Sequence, residues 1–156
     1  MNAAESLELP GPQQQEQTAS VYGQVGEWSF FTLDGQKVEF SQFKGKVVFL
    51  NIWGTWCPPC RAEIPSIQRL YNSLKNKEIV FLLISDEKPE TVRKYIKKKR
   101  YNLPVYIQSG DFPKVFDTQI YPSTYILDRG GRIVYKYFAS AKWDDGSIRS
   151  MLLGLQ

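Results

Sequence analysis

The chain's only cysteines, Cys57 and Cys60, sit in the run Trp56-Cys57-Pro58-Pro59-Cys60. Two sulfurs at that spacing can close into a disulfide and reopen, which is two-electron chemistry. A c-type haem site would need His after the second cysteine. Position 61 is Arg and the sequence has no His, so haem attachment is excluded. Zinc takes about four ligands and the pair supplies half of them, so a metal would need an intermolecular site. A purely structural bridge here would close a tiny loop, worth about 2 kcal/mol in the loop-entropy model against about 3 for a 15-residue loop. Reduced core cysteines fit poorly at a helix cap beside Trp residues. These alternatives stay open but account for the setting less well than redox exchange.

The neighbouring elements give the pair its chemistry. Residues 47–53 read Val-Val-Phe-Leu-Asn-Ile-Trp, as expected of a strand covered on both faces. Gly54-Thr55 breaks it, and from Arg61 onward Ala62, Ile64, Ile67, Leu70, Tyr71 and Leu74 recur at helical spacing. Cys57 therefore falls at a helix cap and Cys60 in the first turn. Free backbone N–H groups at a helix start favour a thiolate, which makes Cys57 the expected nucleophile. Cys60, one turn deeper, is placed to attack a mixed disulfide on Cys57. Pro58 and Pro59 each remove an N–H that could have solvated the Cys57 sulfur, and no cation lies between the cysteines. A less stabilised thiolate predicts a pair that gives electrons away. Pro65 lacks a helical hydrogen bond and is expected to bend or interrupt the helix.

The segment Phe49-Leu50-Asn51-Ile52-Trp53-Gly54-Thr55-Trp56-Cys57-Pro58-Pro59-Cys60-Arg61-Ala62-Glu63-Ile64-Pro65 resembles the active-site segment of extracytoplasmic thioredoxin-like thiol-disulfide reductases, the TlpA/ResA-like group. The likeness extends through Phe31-Thr32-Leu33-Asp34-Gly35, Phe43-Lys44-Gly45-Lys46 and Tyr121-Pro122-Ser123-Thr124-Tyr125-Ile126-Leu127-Asp128, roughly residues 23–152. The resemblance implies that Pro122 is a cis-proline facing the cysteines, with Tyr121 pairing with an extended substrate backbone. An ordinary strand-entry proline is the alternative. It matches Pro65 to a helix kink and Glu63 to a partly buried acid beside the pair. Such a carboxyl has a raised pKa and can take or return the Cys60 proton, whereas a solvated Glu63 offset by Arg61 or the helix dipole would not. Asn51 stands where ordinary thioredoxins keep a buried Asp, and it cannot relay a proton. Trp53, Trp56, Tyr121 and Phe112 are candidates for an apolar rim that receives substrate; the core is the alternative for each of them and the expected place of Trp53.

The chain's 156 residues are 42% hydrophobic and 14% aromatic, enough for one globular core. Residues 1–20, with Pro-Gly-Pro, a glutamine run, and Glu5, Glu8 and Glu16 without a base, are expected to be a disordered leader or linker before a domain over 21–156. Setting those three acids aside leaves 20 bases against 13 acids, net +7. Lys97-Lys98-Lys99-Arg100 reads as a solvated helix end, with a docking patch for an acidic protein as the alternative ahead of a nucleic-acid groove. No apolar run approaches about 18 residues, and no basic or apolar export segment follows Met1. Either the protein is cytoplasmic or its export segment is missing; the resemblance favours an extracytoplasmic site.

Periodicity predicts strands at 28–33, 37–40, 47–53, 79–85, 105–108, 124–127 and 133–138, with helices from 61 onward and at 89–100, 111–118 and 144–153. The expected fold is α/β and thioredoxin-like, a mixed sheet with helices on both faces and an added N-terminal hairpin. The expected function is thiol-disulfide exchange on protein disulfides or dithiols, with no cofactor beyond the Cys57–Cys60 disulfide. Reduction of disulfides in exported proteins, apocytochrome c included, leads. A disulfide-introducing oxidant and a non-catalytic peptide-binding module are the alternatives. The expected partners are protein substrates and an upstream electron donor, a membrane-embedded protein among the candidates, and no nucleic acid; a monomer is expected.

Overall fold

The computed structural model describes residues 19–74, 77–117 and 119–156. The leader expected over 1–20 lies outside them except for Ala19 and Ser20. The order is α1 (Tyr22–Val25), β1 (Ser29–Thr32), β2 (Lys37–Glu39), β3 (Val47–Ile52), α2 (Pro58–Leu74), β4 (Ile79–Ser85), α3 (Pro89–Lys99), β5 (Val105–Ile107), β6 (Ser123–Leu127), β7 (Ile133–Tyr137) and α4 (Gly146–Gly154). The strands form one seven-stranded sheet, β2-β1-β5-β4-β3-β6-β7. The β3–β4 and β4–β5 pairs are parallel, and the other pairs are antiparallel.

Strand β3 is buried along its whole length, which its run of Val, Phe, Leu and Ile permits. Successive side chains alternate between faces. Phe49 and Trp53 join the cluster built with α2, α3 and α4, while Val48, Leu50 and Ile52 join Trp28, Phe30, Phe40 and Phe116 on the other side. The longer helices thus share one face. The opposite face is covered by α1 and 3₁₀ turns at Phe40–Phe43 and Lys114–Phe116. Asn51 falls on the α2 side by the same alternation, and that places a polar side chain beneath the active-site helix.

Helix α2 runs through Pro65 as one element. The expected helix over 111–118 shrinks to the 3₁₀ turn Lys114–Phe116, and Thr118 lies outside the described residues. Pro113 explains this, since it disfavours helical backbone at Phe112. Helix α4 starts later than expected because the Asp145 carboxylate accepts the Ser147 N–H at 2.8 Å and caps it. Lys97, Lys98 and Lys99 fill the last turn of α3 and are exposed, with Arg100 as a left-handed cap. Both predicted hairpins form, turning at Gly35 (φ 86°) and Gly131 (φ 78°). No helix among the described residues is long and apolar enough to cross a membrane.

Ile67, fully buried on α2, is one of the apolar side chains that dock this helix on the sheet. Ile67→Ala is expected to lower the unfolding free energy by about 2–5 kcal/mol in a denaturant titration. Truncating the exposed Lys98 should leave the midpoint nearly unchanged.

Candidate active site

Cys57 is the N-cap of α2. Its carbonyl accepts the Arg61 N–H at 3.0 Å, and its own N–H donates to the Gly54 carbonyl at 3.2 Å. It is disulfide-bonded to Cys60, with Cα atoms 5.2 Å apart. Pro58 and Pro59 have no N–H to offer, and the Cys60 N–H reaches the Cys57 sulfur at 3.3 Å. Cys57 is 2% exposed and Cys60 fully buried, so Cys57 is the less enclosed of the two.

The loop ahead of Cys57 is held from both sides. The Glu87 carboxylate accepts the Thr55 N–H at 2.7 Å and the Thr55 hydroxyl, and is itself fixed by the Ser85 hydroxyl at 2.8 Å. Arg61 Nη1 donates to the Thr55 carbonyl at 2.9 Å. A Cβ at Gly54 would collide with the Trp56 indole, so glycine is needed for that ring to lie against the backbone. Trp56 is 59% exposed and packs on Tyr121, ring centroids 5.3 Å apart. The Tyr121–Pro122 peptide bond is cis. Tyr121 donates to Asp86 at 3.3 Å, and its phenol is pushed up to about 12, first by burial and then by Asp86, Asp117 and Glu87. Of the four candidates for an apolar rim, the structure brings Trp56 and Tyr121 together. Trp53 is core, packed on Tyr95, and Phe112 packs against the cluster on the opposite face of the sheet.

Glu63 is 1% exposed, more deeply buried than the partial burial expected for it. Trp143 Nε1–H donates to its Oε2 at 3.0 Å and Asn51 Nδ2–H to its Oε1 at 3.3 Å. Burial raises the carboxyl pKa from 4.5 to about 8; the two donors oppose that rise without cancelling it. Arg61, the cation named above as a counter-charge for Glu63, is engaged with the Thr55 carbonyl instead. The Ser66 hydroxyl donates to the Glu63 carbonyl at 2.7 Å and accepts the Trp143 N–H at 3.0 Å, tying the 141–145 loop to α2. Sequence reasoning missed Trp143, Thr124 and Glu87 as partners of the site. The one available signal was Trp143 itself, an indole isolated in the polar run Lys142-Trp143-Asp144-Asp145. The assembled geometry can open and close a disulfide at a helix start and hold a proton within one helical turn of Cys60.

A family model described as the AhpC/TSA family matches residues 8–136. The thiol-disulfide oxidoreductase ResA of Bacillus thuringiensis is 36% identical over 104 residues, 65% of this chain and 60% of the relative. The thioredoxin-like protein YneN of Bacillus subtilis is 36% identical over 113 residues, 70% of this chain and 66% of the relative. The matched region thus spans less than two thirds of these curated relatives. Among solved structures, a thiol:disulfide interchange protein of the thioredoxin family from Chlorobium tepidum superposes with TM-score 0.73 at 25% identity, over 91% of this chain and 100% of its own. A secreted thiol-disulfide isomerase from Corynebacterium glutamicum shares the fold, with TM-score 0.69 at 20% identity, over 96% and 98%. The likeness to the TlpA/ResA-like group and the thioredoxin-like fold both hold.

The buried acid predicts a pH-dependent stability. Unfolded, the Glu63 carboxyl ionises near 4.5; folded, near 8. Across that window the folded state retains a proton that the unfolded state has released, so Glu63's contribution to stability falls as pH rises, by about 1.4 kcal/mol per unit. Denaturant titrations of the oxidised protein from pH 5 to 8 should show this decline, and Glu63→Gln should remove it.

Proposed function

Because this chain belongs to the AhpC/TSA family, we propose that it is a thiol-disulfide oxidoreductase working through Cys57 and Cys60. The observation that carries the reading is a disulfide at the start of α2, Cys57 the less enclosed of its two residues, with a buried acid one turn along the same helix. In the reduced protein the Cys57 thiolate attacks a substrate disulfide. A mixed disulfide forms, and the departing substrate sulfur takes up a proton. Cys60 then passes its proton to the ionised Glu63 carboxylate and attacks the Cys57 sulfur; the Cys57–substrate bond breaks, the Cys57–Cys60 disulfide is restored, and the departing second substrate sulfur takes up a proton as Glu63 gives its own back. Two electrons and two hydrogens pass to the substrate. Trp56, Tyr121 and the cis-Pro122 loop receive an extended segment of the substrate beside the Cys57 sulfur.

The physiological direction proposed is reduction. Support comes from the prolines that withhold N–H donors from Cys57 and from an apolar setting that disfavours its thiolate. The substrates proposed are disulfides of exported proteins, apocytochrome c haem-site disulfides among them. The proposed site of action is extracytoplasmic, with an upstream donor protein returning the dithiol. The resemblance carried by residues 49–65 supports these assignments.

Cys60→Ala should leave a covalent mixed disulfide between Cys57 and a disulfide peptide, visible by mass spectrometry and released by reductant. Cys57→Ala should trap nothing. A Cys60→Ala protein that binds the peptide without forming a bond would identify a binding module instead.

A further inference from the structure

Glu63 lies in an environment that offers it hydrogen bonds and no opposite charge. Its carboxyl is met from β3 by Asn51 and from the loop before α4 by Trp143, while on α2 Cys60 lies three residues earlier and the Ser66 hydroxyl bonds the Glu63 main-chain carbonyl. The charged neighbours are engaged elsewhere: Arg61 with the Thr55 carbonyl, and Asp144 with Arg69 at 2.7 Å; Lys142 is exposed. A carboxyl that takes and returns a proton here must be satisfied by neutral partners in both states, because a buried polar group left unpaired costs about 1–3 kcal/mol.

The two partners differ in what they can do. An indole N–H only donates, so Trp143 requires Oε2 to remain an acceptor whether or not Glu63 is charged. A proton on Oε2 would set two hydrogens against each other, which leaves Oε1 to carry it. Oε1 faces Asn51, whose amide can present either a donor or an acceptor. As placed, Asn51 Nδ2 donates to Glu63 Oε1 at 3.3 Å and to Thr124 Oγ1 at 2.9 Å. Asn51 Oδ1, fully buried, has no donor among the described residues. This is the arrangement suited to a charged Glu63.

We propose that Asn51 and Thr124 form a reversible hydrogen-bond pair that serves Glu63 in both protonation states, with the proton carried on Oε1. When Cys60 loses its proton, the S–H bond breaks, an O–H bond forms on Oε1, and no electrons change hands. The new O–H meets an N–H unless the amide turns over. A half-turn about Cβ–Cγ brings Oδ1 to that place, where its two lone pairs accept from Glu63 and from a Thr124 hydroxyl rotated to donate. Each orientation makes two hydrogen bonds and leaves one amide group unpaired, so neither is locked and the Glu63 proton decides between them. Asn51 and Thr124 are positioning residues in this account, since they act through Glu63. Asn fits the position where Asp and Leu do not: Asp would add a second buried charge, and Leu could pair with neither state.

The purpose of the pair rests on Glu63 being the acceptor of the Cys60 proton, but its existence can be tested without turnover. The experiment is a pH titration of the oxidised, isotopically labelled protein by NMR, following the Glu63 carboxyl carbon, the Asn51 side-chain amide and the Trp143 indole proton. The expected result is that the Asn51 amide shifts with the same midpoint as Glu63, its protons moving upfield as Glu63 protonates, while the Trp143 proton stays hydrogen-bonded throughout. In Glu63→Gln, where the new amide donates permanently to Asn51, the Asn51 signals should rest at their low-pH positions at every pH. An Asn51 amide indifferent to the Glu63 titration would overturn the proposal, as would a Trp143 proton released when Glu63 is protonated. If the signals titrate together in a protein that cannot exchange disulfides, the pair stands and the functional reading falls.

Discussion

Glu63 stands without a compensating cation beneath the start of α2, held by an indole and an amide. Burying a charge there is expensive, so the carboxyl keeps its proton well above the usual range. The same apolar surroundings bear on the sulfurs. Cys60 is sealed from solvent, Cys57 is nearly so, and the prolines between them withhold the N–H groups that would otherwise draw out a thiolate. Dry surroundings therefore make negative charge on sulfur and on oxygen costly together. The proposed exchange would therefore move protons and electrons in step, since neither could leave an uncompensated charge behind.

The sheet supplies the rigidity that this arrangement needs. Strand β3 lies between β4 and β6 and is buried on both faces, so its alternation sends Asn51 toward α2 while Leu50 and Ile52 face the other cluster. Strand β6 brings Thr124 opposite Asn51 in register, and the preceding residues bring the cis-Pro122 loop with Tyr121. Glu87, just beyond β4, grips Thr55 and fixes the approach to Cys57. Three neighbouring strands and the residues that flank them thus bring these components to the same end of the sheet.

Much of this could be read from residue types and spacing. The cysteine pair, the buried strand before it, the helix after it and the hairpins at Gly35 and Gly131 follow from local patterns of a few residues. What was hidden depends on distance along the chain. Trp143 lies 80 residues from Glu63, Thr124 lies 73 from Asn51, and Glu87 lies 32 from Thr55. No local periodicity records such pairings; they exist once the sheet has assembled. The depth of Glu63 was hidden for the same reason, because its cover comes from the loop before α4. The segment near Pro113 went astray more simply: its composition suits a helix, and the proline limits it to a single 3₁₀ turn.

The central claim is that a dry site with few donors disfavours the thiolate and makes the dithiol a reductant. The reduction potential of the Cys57–Cys60 pair tests this most directly, by equilibration in defined thiol and disulfide buffers with Trp fluorescence as the readout. The account predicts a value near about −270 mV or lower, as for thioredoxin. A value near about −120 mV would mean that the reduced form is strongly stabilised, and would contradict it.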